Sequence, residues 1–439
     1  MPRSRLFSAF ASRNYRLYFG GQAVSLVGTW MTQTASLWLV YHLSSSPFNL
    51  GLVGFASQFP IFLLAPFAGV MVDRVNRHRL LILTQICSML QSFSLAAFAL
   101  TGTIGVPHLV VLSLFQGVIS AFDLPVRQAM VVEFVENREH LGNAIALNSS
   151  LFNLARLVGP AIGGFVIAAF GGGEFGVGMC YLIDGASYLS VLVALLMMQM
   201  SQRPRSAAKK HPWHDLREGF SYALGFAPIR ALIILVAAIS AIGFSYTVLT
   251  PVFARDVFRG DAQTLGWLMS SSGVGAVLAA LYLGNRPSVR GLGNVITRGG
   301  MLLGVAIMGF SMSRWLPVSM LCLLMAGMGG VLLMASANTL IQSMVDDDKR
   351  GRVMSLFTTA FTSTAPLGNL LAGAVAGKIG SGITLTVSGM ICICIVMIFH
   401  RALPKLREAA HPVLAKLDAT TLDPVIYPVT GESGEATKT

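Results

Sequence analysis

Runs of about 20 residues almost free of Asp, Glu, Lys and Arg recur along this chain, and they limit its fold more than any other feature. A helix needs about 20 mainly apolar residues to cross a bilayer. In lipid, only helices and closed barrels satisfy their own backbone. The runs are 17–41, 50–72, 80–122, 141–170, 176–200, 231–253, 262–283, 295–312, 316–344, 353–376 and 383–399. The stretch 80–122 is too long for one span, and Gly102, Gly105 and Pro107 divide it. The pattern is six spans, a polar stretch, then six more. It predicts an all-α membrane protein of twelve transmembrane helices in two six-helix bundles.

Composition agrees. Only 11% of the 439 residues are charged, against about 25% in soluble domains. A soluble chain this poor in charge could not cover its surface. The net charge of +12 does not point to nucleic acid, because the basic residues lie between apolar runs and form no nucleic-acid motif. With the N-terminus inside, the outer loops hold only Arg255, Arg259, Arg314 and Lys378. That bias predicts both termini inside. The expected organisation is a cytoplasmic segment 1–16 without a cleavable signal, a bundle 17–200, a basic linker 201–230, a bundle 231–400 and a partly disordered tail 401–439. Cys87, Cys180, Cys322, Cys392 and Cys394 all sit in apolar runs without a CxxC. They read as small apolar fillers, so no metal, disulfide or cofactor is expected. No Walker A or Ser/His/Asp constellation occurs, which argues against an enzyme and leaves an ion or solute gradient to supply energy.

Two motifs are informative. After the second span comes Gly69-Val-Met-Val-Asp73-Arg74-Val-Asn-Arg77-His-Arg79. An acid at a helix end among cations can latch the cytoplasmic face, and Gly69 permits close helix approach. A surface ion pair in a basic loop is the plainer reading. The matching Gly284-Asn285-Arg286 lacks the acid. In the fifth span, Ala155, Gly159 and Gly163 make one small-residue face, and Pro160 and Gly164 complete Gly159-Pro-Ala-Ile-Gly-Gly164. Tight packing accounts for this face too. The second half repeats it weakly, with Gly368 and Ala372 at the corresponding places. In such repeats the substrate site lies between the halves near the midplane.

These motifs resemble the GxxxDRxxR loop and the antiporter signature of the major facilitator superfamily, although Ala146 and Ala155 stand where that signature has glycines. Asn14-Tyr-Arg-Leu, Asp123-Leu-Pro-Val-Arg127-Gln-Ala, Asn143-Ala-Ile-Ala-Leu-Asn148 and Arg350-Gly-Arg-Val-Met-Ser are similar to the branch with the enterobactin exporter and macrolide efflux carriers. The resemblance covers roughly residues 10–400. It implies a monomer in a bacterial cytoplasmic membrane, exporting a drug or siderophore by alternating access in exchange for protons. A lipid or lysolipid flippase and a non-transporting sensor or assembly partner are the alternatives.

Arg156 and Asp184 lie farthest from any loop. Intramembrane charges are costly and usually paired, so each is the natural partner of the other, as a proton switch or as a structural pair. Asp123 and Arg127 stand i,i+4 and pair locally or take part in proton coupling. Gln22, Ser25, Thr29, Gln33 and Ser36 form one polar side of the first helix. With Trp30, Gln58, Phe59, Asn153, Tyr246, Trp267 and Asn338 they suggest a cavity for a hydrophobic or amphiphilic small molecule. Asp346–Asp348 beside Lys349 and Arg350 reads as a solvated loop.

Overall fold

A computed structural model describes residues 5–135, 137–198, 222–286 and 288–421. Among them twelve long helices follow one another: α1 Arg13–Ser44, α2 Pro47–Arg74, α3 Arg77–Leu100, α4 Val106–Phe134, α5 Leu141–Ala169 and α6 Glu174–Leu196, then α7 Ala227–Val257, α8 Ala262–Gly284, α9 Leu292–Met312, α10 Leu316–Met344, α11 Asp347–Ile379 and α12 Ser381–Thr421. Ten have the length and composition to cross a membrane. The other two, α1 and α11, are long enough and carry the most polar side chains, Gln22, Ser25, Thr29 and Gln33 in one and Thr358, Thr362, Thr364 and Asn369 in the other.

The helix boundaries have local causes. Pro47, Pro107, Pro228 and Pro317 sit in first turns, where a missing N–H costs nothing. Asn76 caps α3 by accepting from the Arg79 N–H at 3.1 Å, and Asp261 caps α8 by accepting from Thr264 at 3.0 Å. The turn at Gly102, with φ +68, separates α3 from α4, which is the division expected from the sequence. Helix α7 breaks at Phe244 and Ser245 and ends in a π turn, Phe253–Val257. Most of the expected linker lies outside the described residues. Of the expected tail, 401–421 continues α12 without a break, and 422–439 lies outside the described residues. Leu403 and Ala410 are buried on it, so an apolar face carries the helix past the membrane.

Within the first bundle α1 packs on α5 and α6, α3 on α6 and α2 on α4. Within the second, α9 packs on α10 and α12, α8 on α10 and α7 on α11. Two seams join the bundles, α2 against α11 and α5 against α8. Both are built on glycine. A Cβ on Gly51 would come 2.5 Å from the Asn369 carbonyl oxygen, and one on Gly164 would come 2.6 Å from that of Ala262. Gly266 meets the Pro160 carbonyl at 2.6 Å, and Gly373 meets that of Pro47 at 2.6 Å, in the same sense. Absent side chains let the backbones touch.

Both seams lie toward the outer ends of their helices. At the cytoplasmic ends, a Cβ on Gly69 or Gly284 would meet nothing within 4 Å. The extensive contacts between the bundles are those two seams, so the bundles meet outside without a comparable seam at the inner ends, the inward-facing arrangement of a two-bundle fold. Gly69 makes no close helix approach in this state, because the bundles are apart at that level.

Candidate functional site

The cleft between the bundles has polar and aromatic walls. Along α5, Ser149, Phe152 and Arg156 project to one side, and Leu154, Val158 and Phe165 to the other. Gly159 and Gly163 on one flank of the first face pack on α1, and Pro160 and Gly164 on its other flank pack on α8 of the second bundle, so the first face looks into the cleft. There Phe152 meets Trp30 of α1 edge-on, with ring centroids 5.5 Å apart. The Arg156 guanidinium lies over the same Trp30 ring at 5.8 Å. Asn153 is half-buried, and its amide donates to its own helix at the Ser149 carbonyl, 2.8 Å away. Thr29 and Gln33 are exposed on α1, on either side of Trp30 in sequence and next to the face that Trp30 turns to the cleft wall.

On α2, Gln58 continues the face of Gly51 and Gly54 one turn inward. It sits just inside the outer seam, and the half-buried Phe59 beside it stacks on Phe55 with centroids 4.6 Å apart. Across the cleft on α10, Gln342 donates to the Asn338 amide oxygen at 3.1 Å. Phe244 and Phe361 meet edge-on at 6.1 Å.

Two expected lining residues are elsewhere. Tyr246 is 2% exposed, and its hydroxyl lies 3.0 Å from that of Ser272, inside the second bundle. Trp267 is 48% exposed on the α8 face shared with Leu278 and Leu281, which turns toward lipid. The apolar runs hold both residues at the right depth, but only helix rotation decides which way they point.

Arg156 and Asp184 do not pair. The reason lies in α1. Gly28 faces α6, where a Cβ would strike the Asp184 Oδ1 at 2.5 Å, while Trp30, two positions on, faces α5 and Arg156. Two residues apart on a helix are on nearly opposite sides. Asp184 is 1% exposed, and its Oδ2 accepts from Ser92 of α3 at 2.7 Å. Its Oδ1 has no hydrogen-bond partner among the described residues. No cation among the described residues pairs with it.

Asp123 and Arg127 do pair, through Arg127 Nη2 and Asp123 Oδ2. Asp123 Oδ1 also accepts from Thr84 at 2.8 Å and Gln85 at 2.7 Å, both on α3. Arg127 Nη1 donates to Gln22 of α1. This ion pair thus ties three helices together. Tyr188, one turn beyond Asp184 on α6, is buried within electrostatic reach of Asp184, Asp123 and Arg127. The polar groups form a column in the first bundle from mid-depth toward the cytoplasm.

At the cytoplasmic face Arg77 Nη1 binds Glu133 of α4 at 3.0 Å, while Arg74 is exposed. The side chain of Asp73 lies outside the described residues. The small-residue motif of α5 has two partners. Gly159 and Gly163 pack on Trp30 and Met31 of α1, whereas Pro160 and Gly164 pack across the cleft on α8. The second half repeats this: Gly368 packs on Ala241 of α7 and Gly373 across the cleft on α2. Gly159 and Gly368, and likewise Gly164 and Gly373, are 209 residues apart.

The sequence reading did not single out an outer clasp. Tyr41 of α1 donates its hydroxyl to Asp256 of α7. Arg255 donates to the Tyr41 carbonyl at 2.9 Å and the Ser45 hydroxyl at 3.1 Å, with its guanidinium over the Tyr41 ring. The adjacent acid and base, Arg255 and Asp256, at the outer end of an apolar run were the available signal.

A profile of the family described as transmembrane secretion effector matches residues 4–434. The chain is 27% identical over 406 residues to the staphyloferrin A transporter of Staphylococcus aureus, covering 91% of this chain and 99% of that one. It is 27% identical over 397 residues to the multidrug efflux pump Tap of Mycolicibacterium fortuitum, covering 87% and 93%. Among solved structures it is similar to the nucleoside transporter NupG, with a TM-score of 0.70 at 14% identity over 89% of this chain and 99% of that one. That likeness is one of fold.

Proposed function

This chain belongs to the transmembrane secretion effector family of major facilitator transporters, and from that premise we propose that it exports a hydrophobic or amphiphilic small molecule in exchange for protons. The buried, cation-free carboxyl of Asp184 carries this reading. Keeping an isolated carboxylate ionised in a low-dielectric interior costs several kcal/mol. Taking up a proton removes that cost. Asp184 is thus the proton carrier, and Tyr188 with the Asp123–Arg127 pair is the polar route toward the cytoplasm. Substrate enters the inward-open cleft from the cytoplasm and leaves when the glycine seams open outside. In that outward-facing state the loop Gly69–Arg77 latches the cytoplasmic ends. The carrier works as a monomer in a bacterial cytoplasmic membrane. Similarity to a staphyloferrin A transporter and to a multidrug efflux pump supports export of a small molecule.

Inverted membrane vesicles with an imposed proton gradient test this. Siderophores, macrolides and lipophilic cations are added in turn to wild type and to Asp184→Asn. Ligand-driven collapse of the gradient in wild type, lost in the variant, is expected. Equal responses in both would remove Asp184 from the coupling path.

A further inference from the structure

We propose that Arg156 is the counter-ion for an anionic group on the exported molecule, so that the preferred substrates are amphiphilic anions bearing a carboxylate or similar group beside an aromatic or apolar body. This rests on the reading of the cleft as a transport cavity and adds its substrate class.

Three observations carry it. Arg156 forms no ion pair among the described residues, although Asp184 lies in the same bundle. A cation at membrane depth is retained at a cost, and its partner is then expected to be functional. Second, the guanidinium is not buried in a core. It stands half-exposed on the cleft face of α5, over Trp30 at 5.8 Å. Cation–π contact supports the ring side of the guanidinium and leaves the N–H fork for a ligand. That fork matches a carboxylate with two parallel hydrogen bonds. Third, the cleft walls described above add Trp30, Phe152, Phe244 and Phe361 as apolar surface, and Gln33, Asn338 and Gln342 as neutral donors and acceptors. No carboxylate of the described residues competes for the guanidinium within 4.0 Å.

The class has an energetic consequence. An anion leaving the cell moves down an inside-negative potential, which supplies about 2.3 kcal/mol per charge per 100 mV. Exchange for an entering proton moves charge in the same sense. Such export is electrogenic.

The test uses the full chain in lipid nanodiscs and isothermal titration with three probes that share a naphthalene body: 2-naphthoate, 2-naphthamide and 2-naphthylmethylammonium. Wild type is expected to bind the carboxylate about 10-fold or more tighter than the amide, the size of a charge-assisted hydrogen bond. Arg156→Gln should erase that difference while leaving the amide unchanged, and Arg156→Lys should restore part of it. Amide binding in Arg156→Gln also reports that the variant folds. A wild-type preference for the amide or the ammonium probe, no binding of any probe by wild type, or equal loss of all three in Arg156→Gln would overturn the assignment. Proton coupling is not read in this experiment. An Arg156-dependent anion preference combined with proton-independent efflux would sink the proton reading and leave the substrate class standing.

Discussion

The two bundles share a fold and differ in what fills them. The first holds Asp123, Asp184, Gln22, Thr84, Gln85 and Ser92 as buried polar groups. In the second, the buried polar side chains among the described residues are Ser, Thr and one Asn, with no charge. Its helices instead approach backbone to backbone. A Cβ on Gly299 would come 2.9 Å from the Gly329 carbonyl, and one on Gly304 would come 2.9 Å from that of Gly389. The first bundle has such approaches too, with Gly117 against the Ser57 carbonyl and Gly176 against that of Ile167, but it adds buried charge and amides to them, whereas the second relies on close packing and small neutral groups. On the proposed reading, the half that takes up and releases a proton needs polar groups inside. A half that only has to rock against it can be dry and closely packed.

Breaking the ion pair should have the largest effect. Arg127→Met leaves Asp123 buried without a cation and should cost about 3–5 kcal/mol, read as a fall in thermal unfolding of the purified protein. Asp123→Asn in the same chain should recover much of that loss, since no uncompensated charge then remains. A single variant as stable as wild type would mean that the pair contributes nothing to the first bundle.

The second bundle should fail by crowding. Gly304→Leu forces a side chain against the Gly389 backbone and Ile393, at a cost of about 1–3 kcal/mol. Gly28→Ala probes the opposite case in the first bundle. Its Cβ meets the Asp184 carboxylate at 2.5 Å, so proton coupling should suffer more than stability. Vesicle proton release and thermal unfolding separate the two. If Gly304→Leu spared stability and Gly28→Ala spared coupling, the contrast between shape and charge would be lost.

The outer clasp joins the bundles and tests neither interior. Asp256→Asn weakens the bond from Tyr41 by removing a charged acceptor, worth about 1–2 kcal/mol. The inward-facing population should fall, which spin-label distances across the outer ends of α2 and α11 would read. An unchanged distance distribution would leave the seams alone to close the outer face.

The fold was legible because bilayer thickness sets the length of every apolar run, and Gly102 and Pro107 marked the one run that had to be cut. The Asp123–Arg127 pair was legible because i,i+4 spacing fixes it within one helix. Arg156 and Asp184 were legible as unusual charges but not as strangers to each other. Their separation depends on the rotation of α1, which turns Gly28 and Trp30 to different neighbours. The same freedom misplaced Tyr246 and Trp267. The continuation of α12 past Arg401 was hidden because its buried positions, Leu403 and Ala410, are too sparse to stand out among charged residues.

The smallest prediction compares single hydroxyls in the two interiors. Ser92 of the first bundle donates to Asp184 at 2.7 Å, and Ser311 of the second shares a 2.7 Å hydrogen bond with Thr386. Equal lengths do not imply equal consequences. Interhelical hydrogen bonds of neutral groups in membranes average about 0.6 kcal/mol, so Ser311→Ala should shift unfolding only slightly and leave the pH dependence of transport unchanged. Ser92→Ala should cost about 1–2 kcal/mol, as loss of a donor to a buried carboxyl. It should also displace the pH midpoint of transport, because Asp184 loses a hydrogen-bond donor. Two transport–pH curves decide between a proton site confined to the first bundle and one spread over both. A midpoint displaced by Ser311→Ala, or unmoved by Ser92→Ala, would take the proton away from the column around Asp184.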